Sequence, residues 1–189
     1  MKKSAINLLR AAEVNLLNSF KGIQPDEVTI RPQPEFNSIS WIVGHCFVHF
    51  HMVLCLTCQD TRLFSKDVMH YYRYATTKEE IDTVSPPFSF DELVDEYLGV
   101  SEKGFSYLDS LDDDAYPEIL FPEINETLEE SIQRIALHYL GHVGQIVLIR
   151  KAIGNPGPTF VGGLQEPDYI RMFDSWRSWW SESKESFSA

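Results

Sequence analysis

Apolar residues along this chain recur at helical spacing, and no run alternates convincingly with the period of two that marks a half-buried strand. Ile6, Leu9, Glu13, Leu16, Leu17 and Phe20 recur at helical spacing and predict a first helix over about Lys2–Phe20, which Gly22 and Pro25 terminate. Asn37 or Ser38 is placed to cap a second, very apolar helix over about Ile39–Cys58. Irregular chain follows from about Gln59 to Pro87, interrupted by a short helix near Lys66–Tyr74. Ser89-Phe90-Asp91-Glu92 is a capping box that opens a third long helix ending near Leu111. A loop is expected over Asp112–Asn125. Thr127-Leu128-Glu129-Glu130 then repeats the capping signal and starts a helix that runs to Ile153, where Gly154-Asn155-Pro156 stops it. A last helix covers about Gln165–Ser183 and carries Trp176, Trp179 and Trp180.

The expected fold is all-α: a four-helix bundle over residues 1–154 with long crossover connections, plus a C-terminal helical extension, 155–189, packing on the same domain. At 189 residues, one domain is the default. The three tryptophans are expected to pack on the bundle, with a homodimer contact as the other reading.

Charge narrows the functional classes. The formal net charge is −12, with 16 basic against 28 acidic residues. Nucleic-acid binding, which needs Lys and Arg to displace counterions from phosphates, is not expected. No basic residue stands between Lys103 and Arg134, while nine acidic ones from Asp109 to Glu130 crowd that stretch, which reads as a solvated face. The N-terminal residues lack the apolar core and cleavage site of a signal peptide. Ile39–Leu56 comes closest to a membrane span but carries three histidines. A cytoplasmic protein, not membrane-bound, is the expectation. Cys46, Cys55 and Cys58 are too few for a disulfide framework. The Cys55–Cys58 spacing matches a redox motif, yet buried thiols near a helix end are the simpler reading.

The sharpest chemical signal is His138-Tyr139-Leu140-Gly141-His142-Val143-Gly144-Gln145. Helical residues four apart lie one above the other, so the two imidazoles can share a metal ion. Gly141 and Gly144 reduce bulk beside the pair. Gln145 lies one turn on and is a candidate catalytic residue that could bond a ligand or a metal-bound water. Position 139 is Tyr, so the glutamate base of the HExxH proteases is missing. The second constellation is Trp41-Ile42-Val43-Gly44-His45, with His49 one turn later and His51 on another side. A histidine on an apolar face needs a partner, either a carbonyl or carboxylate or a metal. By geometry, His45 and His49 both qualify as a third ligand.

These two patches, with Arg150 a turn beyond the second, resemble the DinB-like superfamily of metal-dependent enzymes, from about Lys2 to Gly154. The resemblance implies a bundle with a three-histidine metal site, which maps onto His45, His138 and His142, with His49 as the alternate. Relatives include transferases and isomerases that use bacillithiol, mycothiol or glutathione, and others without known activity. It implies one divalent transition metal (zinc, nickel or iron), a low-molecular-weight thiol as co-substrate, a small-molecule substrate, and thiol-dependent transfer or hydrolysis. Three imidazoles leave coordination positions open, as catalytic sites do. The competing expectations are a non-catalytic metal-binding or protein-interaction bundle with a structural or vestigial site, and a redox protein built on Cys55 and Cys58.

Overall fold

The computed structural model describes residues 2–73, 83–158 and 161–188. The fold is all-α. Its helices are α1 (Lys2–Ser19), α2 (Ile39–Phe50), α3 (Lys66–Tyr71), α4 (Phe90–Ser110), α5 (Leu128–Ala152) and α6 (Glu166–Ser183). Residue 74, at the expected end of the short third helix, lies outside the described residues.

Local chemistry accounts for the boundaries. The Ser38 hydroxyl accepts from the Trp41 amide and starts α2. Ser89 with Glu92, and Thr127 with Glu130, form the two capping boxes, each glutamate accepting from the cap residue's own amide. Gly154, at φ +86°, takes the left-handed conformation that lets the chain leave α5. Arg150 closes the same end. Its Nη1 donates to the Ser19 and Lys21 carbonyls, and its Nε to that of Asn155. It thereby satisfies carbonyls that the end of α1 leaves open.

Helix α5 packs along α1 and against α2, and α2 also meets α4. Between them lies one core, including Leu9, Leu16, Phe47, Phe50, Leu93, Ile135 and Ile146. Helix α6 lies on α1. Trp176 is buried against Phe20, and Trp180 is buried against Phe90 of α4, its indole donating to Asp95. Trp179 is half-buried and packs on the same core beside Phe20, so packing on the fold accounts for all three tail tryptophans.

Three features depart from the sequence reading. The second helix is α-helical only to Phe50 and continues as a π-helical stretch, His51–Thr57. The expected loop after α4 contains a small antiparallel pair, β1 (Ile119–Phe121) and β2 (Glu126–Thr127), turned by Asn125 at φ +53°. Strands of three and two residues are too short to show an alternating pattern. Finally, Ile39–Thr57 does reach the length and apolarity of a membrane-crossing helix, with mean hydropathy 1.7, but 78% of that window is buried inside the protein. Its apolar character is that of a core helix. In the acidic stretch, Asp112, Asp113, Asp114, Glu118 and Glu123 are exposed, while Glu126 faces inward to Arg134.

Candidate metal centre

Helices α2 and α5 bring His45, His138 and His142 together. Each offers one ring nitrogen, and the three atoms lie within 4.8 Å of one another. Nε2 of His138 is 3.1 Å from Nε2 of His45 and 3.0 Å from Nε2 of His142. Ligands at metal–nitrogen distances of about 2.0–2.1 Å stand about 2.9–3.4 Å apart around a shared ion. The three histidines are therefore positioned so that they could hold a metal ion.

The outer nitrogens explain why the inner ones converge. His45 Nδ1 lies 2.7 Å from the Tyr72 carbonyl oxygen, which can only accept. The proton of neutral His45 is therefore on Nδ1, leaving a lone pair on Nε2. Gly44 makes this contact possible, because a Cβ there would collide with the Tyr72 ring. Trp41 stacks on the His45 ring at 5.0 Å, nearly parallel, and donates its indole N–H to the Tyr71 carbonyl. His142 Nδ1 donates to Oε1 of Gln145 at 2.9 Å, so its Nε2 also presents a lone pair. Two lone pairs thus face one nitrogen of His138, which carries at most one proton.

The surroundings keep these rings neutral. Burial lowers the pKa of His45 and His142 below the usual imidazole range, with backbone and Gln145 hydrogen bonds opposing it. His138 is pushed down to about 2, first by burial and then by its histidine neighbours. His49 is pushed down to about 4 by burial and by the Arg134 guanidinium. Neutral imidazole is the form a metal takes.

The other sequence candidates separate. His49 touches the cluster from behind: its Nδ1 is 2.8 Å from Nδ1 of His138, on the far side of that ring from the shared centre. His51 is buried and accepts from the Leu63 and Phe64 amides, a role in holding the loop. Gln145 is engaged by His142. Gly141 and Gly144 are exposed, with no neighbour where a Cβ would stand. Burial pushes the Cys55 and Cys58 thiols up to about 11, the opposite of a reactive pair. Sequence reasoning missed Arg134 and Glu126. Arg134 donates to Nε2 of His49 at 2.8 Å and grips both oxygens of Glu126.

The family model of the DinB superfamily matches residues 8–146, which include both histidine patches. The chain belongs to the DinB superfamily. No curated protein and no solved structure gives a match. An all-α chain of this superfamily with three converging histidines is compatible with a metal-binding protein.

Proposed function

We propose that this DinB-superfamily protein is a metal-dependent enzyme whose divalent transition metal is held by Nε2 of His45, His138 and His142. The observation that carries the reading is the excess of lone pairs: two inner nitrogens point at a third, and one shared cation would satisfy all of them. Such an ion supplies Lewis acidity, lowering the pKa of a coordinated water or thiol toward neutrality. Three protein ligands fit a centre with room for substrate, whereas structural zinc sites close with four.

The chain's own residues then have definite tasks. Tyr72 and Gln145 hold the outer nitrogens of His45 and His142, fixing tautomer and ring orientation. Gln145 is therefore an orienting residue before it is a catalytic one. Trp41 covers the face of His45 and excludes water from that side. The reaction class we favour is thiol-dependent transfer, with hydrolysis second. The preference for a low-molecular-weight thiol and a small-molecule substrate follows the superfamily resemblance, and zinc, nickel and iron suit an all-imidazole set equally. Assays of the metal-loaded protein with glutathione, bacillithiol or mycothiol and electrophilic acceptors, beside ester and amide hydrolysis, test this. Turnover that requires both the metal and His142 supports the proposal. Metal-loaded protein inactive in every assay contradicts the enzymatic reading and leaves a binding protein.

A further inference from the structure

His138 is held from two sides, and the two holds make opposite demands on its protons. Its Nε2 faces the lone pairs of His45 and His142, and its Nδ1 faces Nδ1 of His49 at 2.8 Å. The other nitrogen of His49 lies 2.8 Å from Nη1 of Arg134. A guanidinium has donors only, so Nε2 of His49 accepts. Neutral His49 then carries its proton on Nδ1 and donates it to Nδ1 of His138. That leaves the single proton of neutral His138 on Nε2, inside the histidine cluster.

A metal ion bound there needs the reverse. Nε2 of His138 must be bare, so Nδ1 carries the proton and His49 must accept it. His49 cannot accept at Nδ1 and at Nε2 together while remaining a neutral ring. Arg134 does not swing away freely, because its Nε and Nη2 are fixed on Glu126 at 2.9 and 2.7 Å, and Ser131 also donates to that carboxylate.

We infer that Arg134 is a positioning residue that opposes metal binding through His49, so that filling the centre reverses the His49–His138 hydrogen bond and displaces Arg134 from His49. The inference rests on the metal centre proposed above. The Arg134–Glu126 arm, reaching from α5 to β2, thereby tunes how tightly three otherwise unopposed imidazoles hold their ion.

Affinity for zinc and cobalt(II), measured on the intact chain by competition with a chromophoric chelator, tests it. Thermal denaturation of each metal-free variant checks the fold. Arg134→Met removes the opposing donor and should bind roughly tenfold more tightly, the scale of one hydrogen bond to a charged group. His49→Gln should tighten binding similarly, because a carboxamide oxygen has two lone pairs and accepts from His138 and Arg134 at once. In the His49→Gln background, Arg134→Met should then add nothing. Equal or weaker binding in both folded single variants overturns the inference while leaving the metal centre intact. A wild-type protein that binds neither ion overturns the inference and the centre together.

Discussion

Two polar clusters interrupt the apolar core, and the hydrogen-bond arithmetic of one balances while that of the other does not. The first joins α1, α4 and α5. Tyr97 donates to Oε1 of Glu13 at 2.7 Å, Ser101 donates to the same oxygen, and Tyr139 lies 3.1 Å from the Tyr97 hydroxyl, to which it donates. Each hydroxyl proton there has an acceptor. The second cluster joins α2 and α5, and in it the lone pairs of His45 and His142 compete for one nitrogen of His138. Both clusters are helix-borne and set among apolar neighbours. Burial of a polar side chain is thus no sign of function by itself; an unbalanced set of acceptors is. The balanced cluster has no hydroxyl proton left over, and the unbalanced one is compatible with a bound metal ion.

The strongest way to break this contrast is to add metal. Zinc at about a hundredfold excess over its Kd should stabilise the wild-type protein by about 2.7 kcal/mol, read as a rise in Tm. His142→Ala or His45→Ala should abolish the rise, and Tyr139→Phe should keep it. An equal rise in the histidine variants would place the metal elsewhere.

Next comes removal of the balanced cluster's acceptor. Glu13→Ala strands two buried hydroxyls and should cost about 2 kcal/mol in denaturant unfolding, with metal affinity unchanged. Glu13→Gln keeps an acceptor oxygen and should cost far less. A large loss of metal affinity in folded Glu13→Ala would show that the clusters are one system.

Acid sharpens the contrast through sign. Burial raises the Glu13 carboxyl above its ordinary value of 4.5, against the pull of Ser101, Tyr97 and Arg10. The folded state therefore binds this proton more tightly, and the stability linked to it is present below 4.5 and lost as pH rises through the folded value. His51 behaves oppositely. Burial, with Arg62 adding to it, lowers its pKa to about 4 from 6.5. Its contribution is present above pH 6.5 and lost as pH falls toward 4. Glu13→Gln and His51→Gln should each remove one of these slopes from a pH series of unfolding free energies. The smallest effect concerns the cysteines: thiols at about 11 should react negligibly with a disulfide reagent at pH 7 in the folded chain and fully once unfolded.

Much of this is legible in the sequence, and the reasons are local. Helical period and two capping boxes marked α4 and α5 to within a residue or two. His138 and His142 were legible as a pair because four residues in one helix fix their stacking. Choosing His45 over His49 was not possible from the helix alone, since both share a face; the superfamily resemblance pointed to His45, and the ring geometry places its Nε2 inward. Tyr72 was invisible because it contributes a backbone carbonyl, which any residue has. Arg134 and Glu126 were hidden because their meeting depends on β1 and β2, whose brevity leaves no pattern. The burial of Glu13 was hidden because Tyr97 and Ser101 reach it from a helix far away in sequence. The π-helical turn after Phe50 has no local residue signal that we can name.

Metal content bears most directly on the three-histidine centre. Mass spectrometry of tag-free protein should find about one equivalent of zinc, nickel or iron in the wild type and in Glu13→Gln, and almost none in His45→Ala or His142→Ala. A folded wild-type protein that carries no metal even after incubation with these ions, or histidine variants that keep it, would contradict the account.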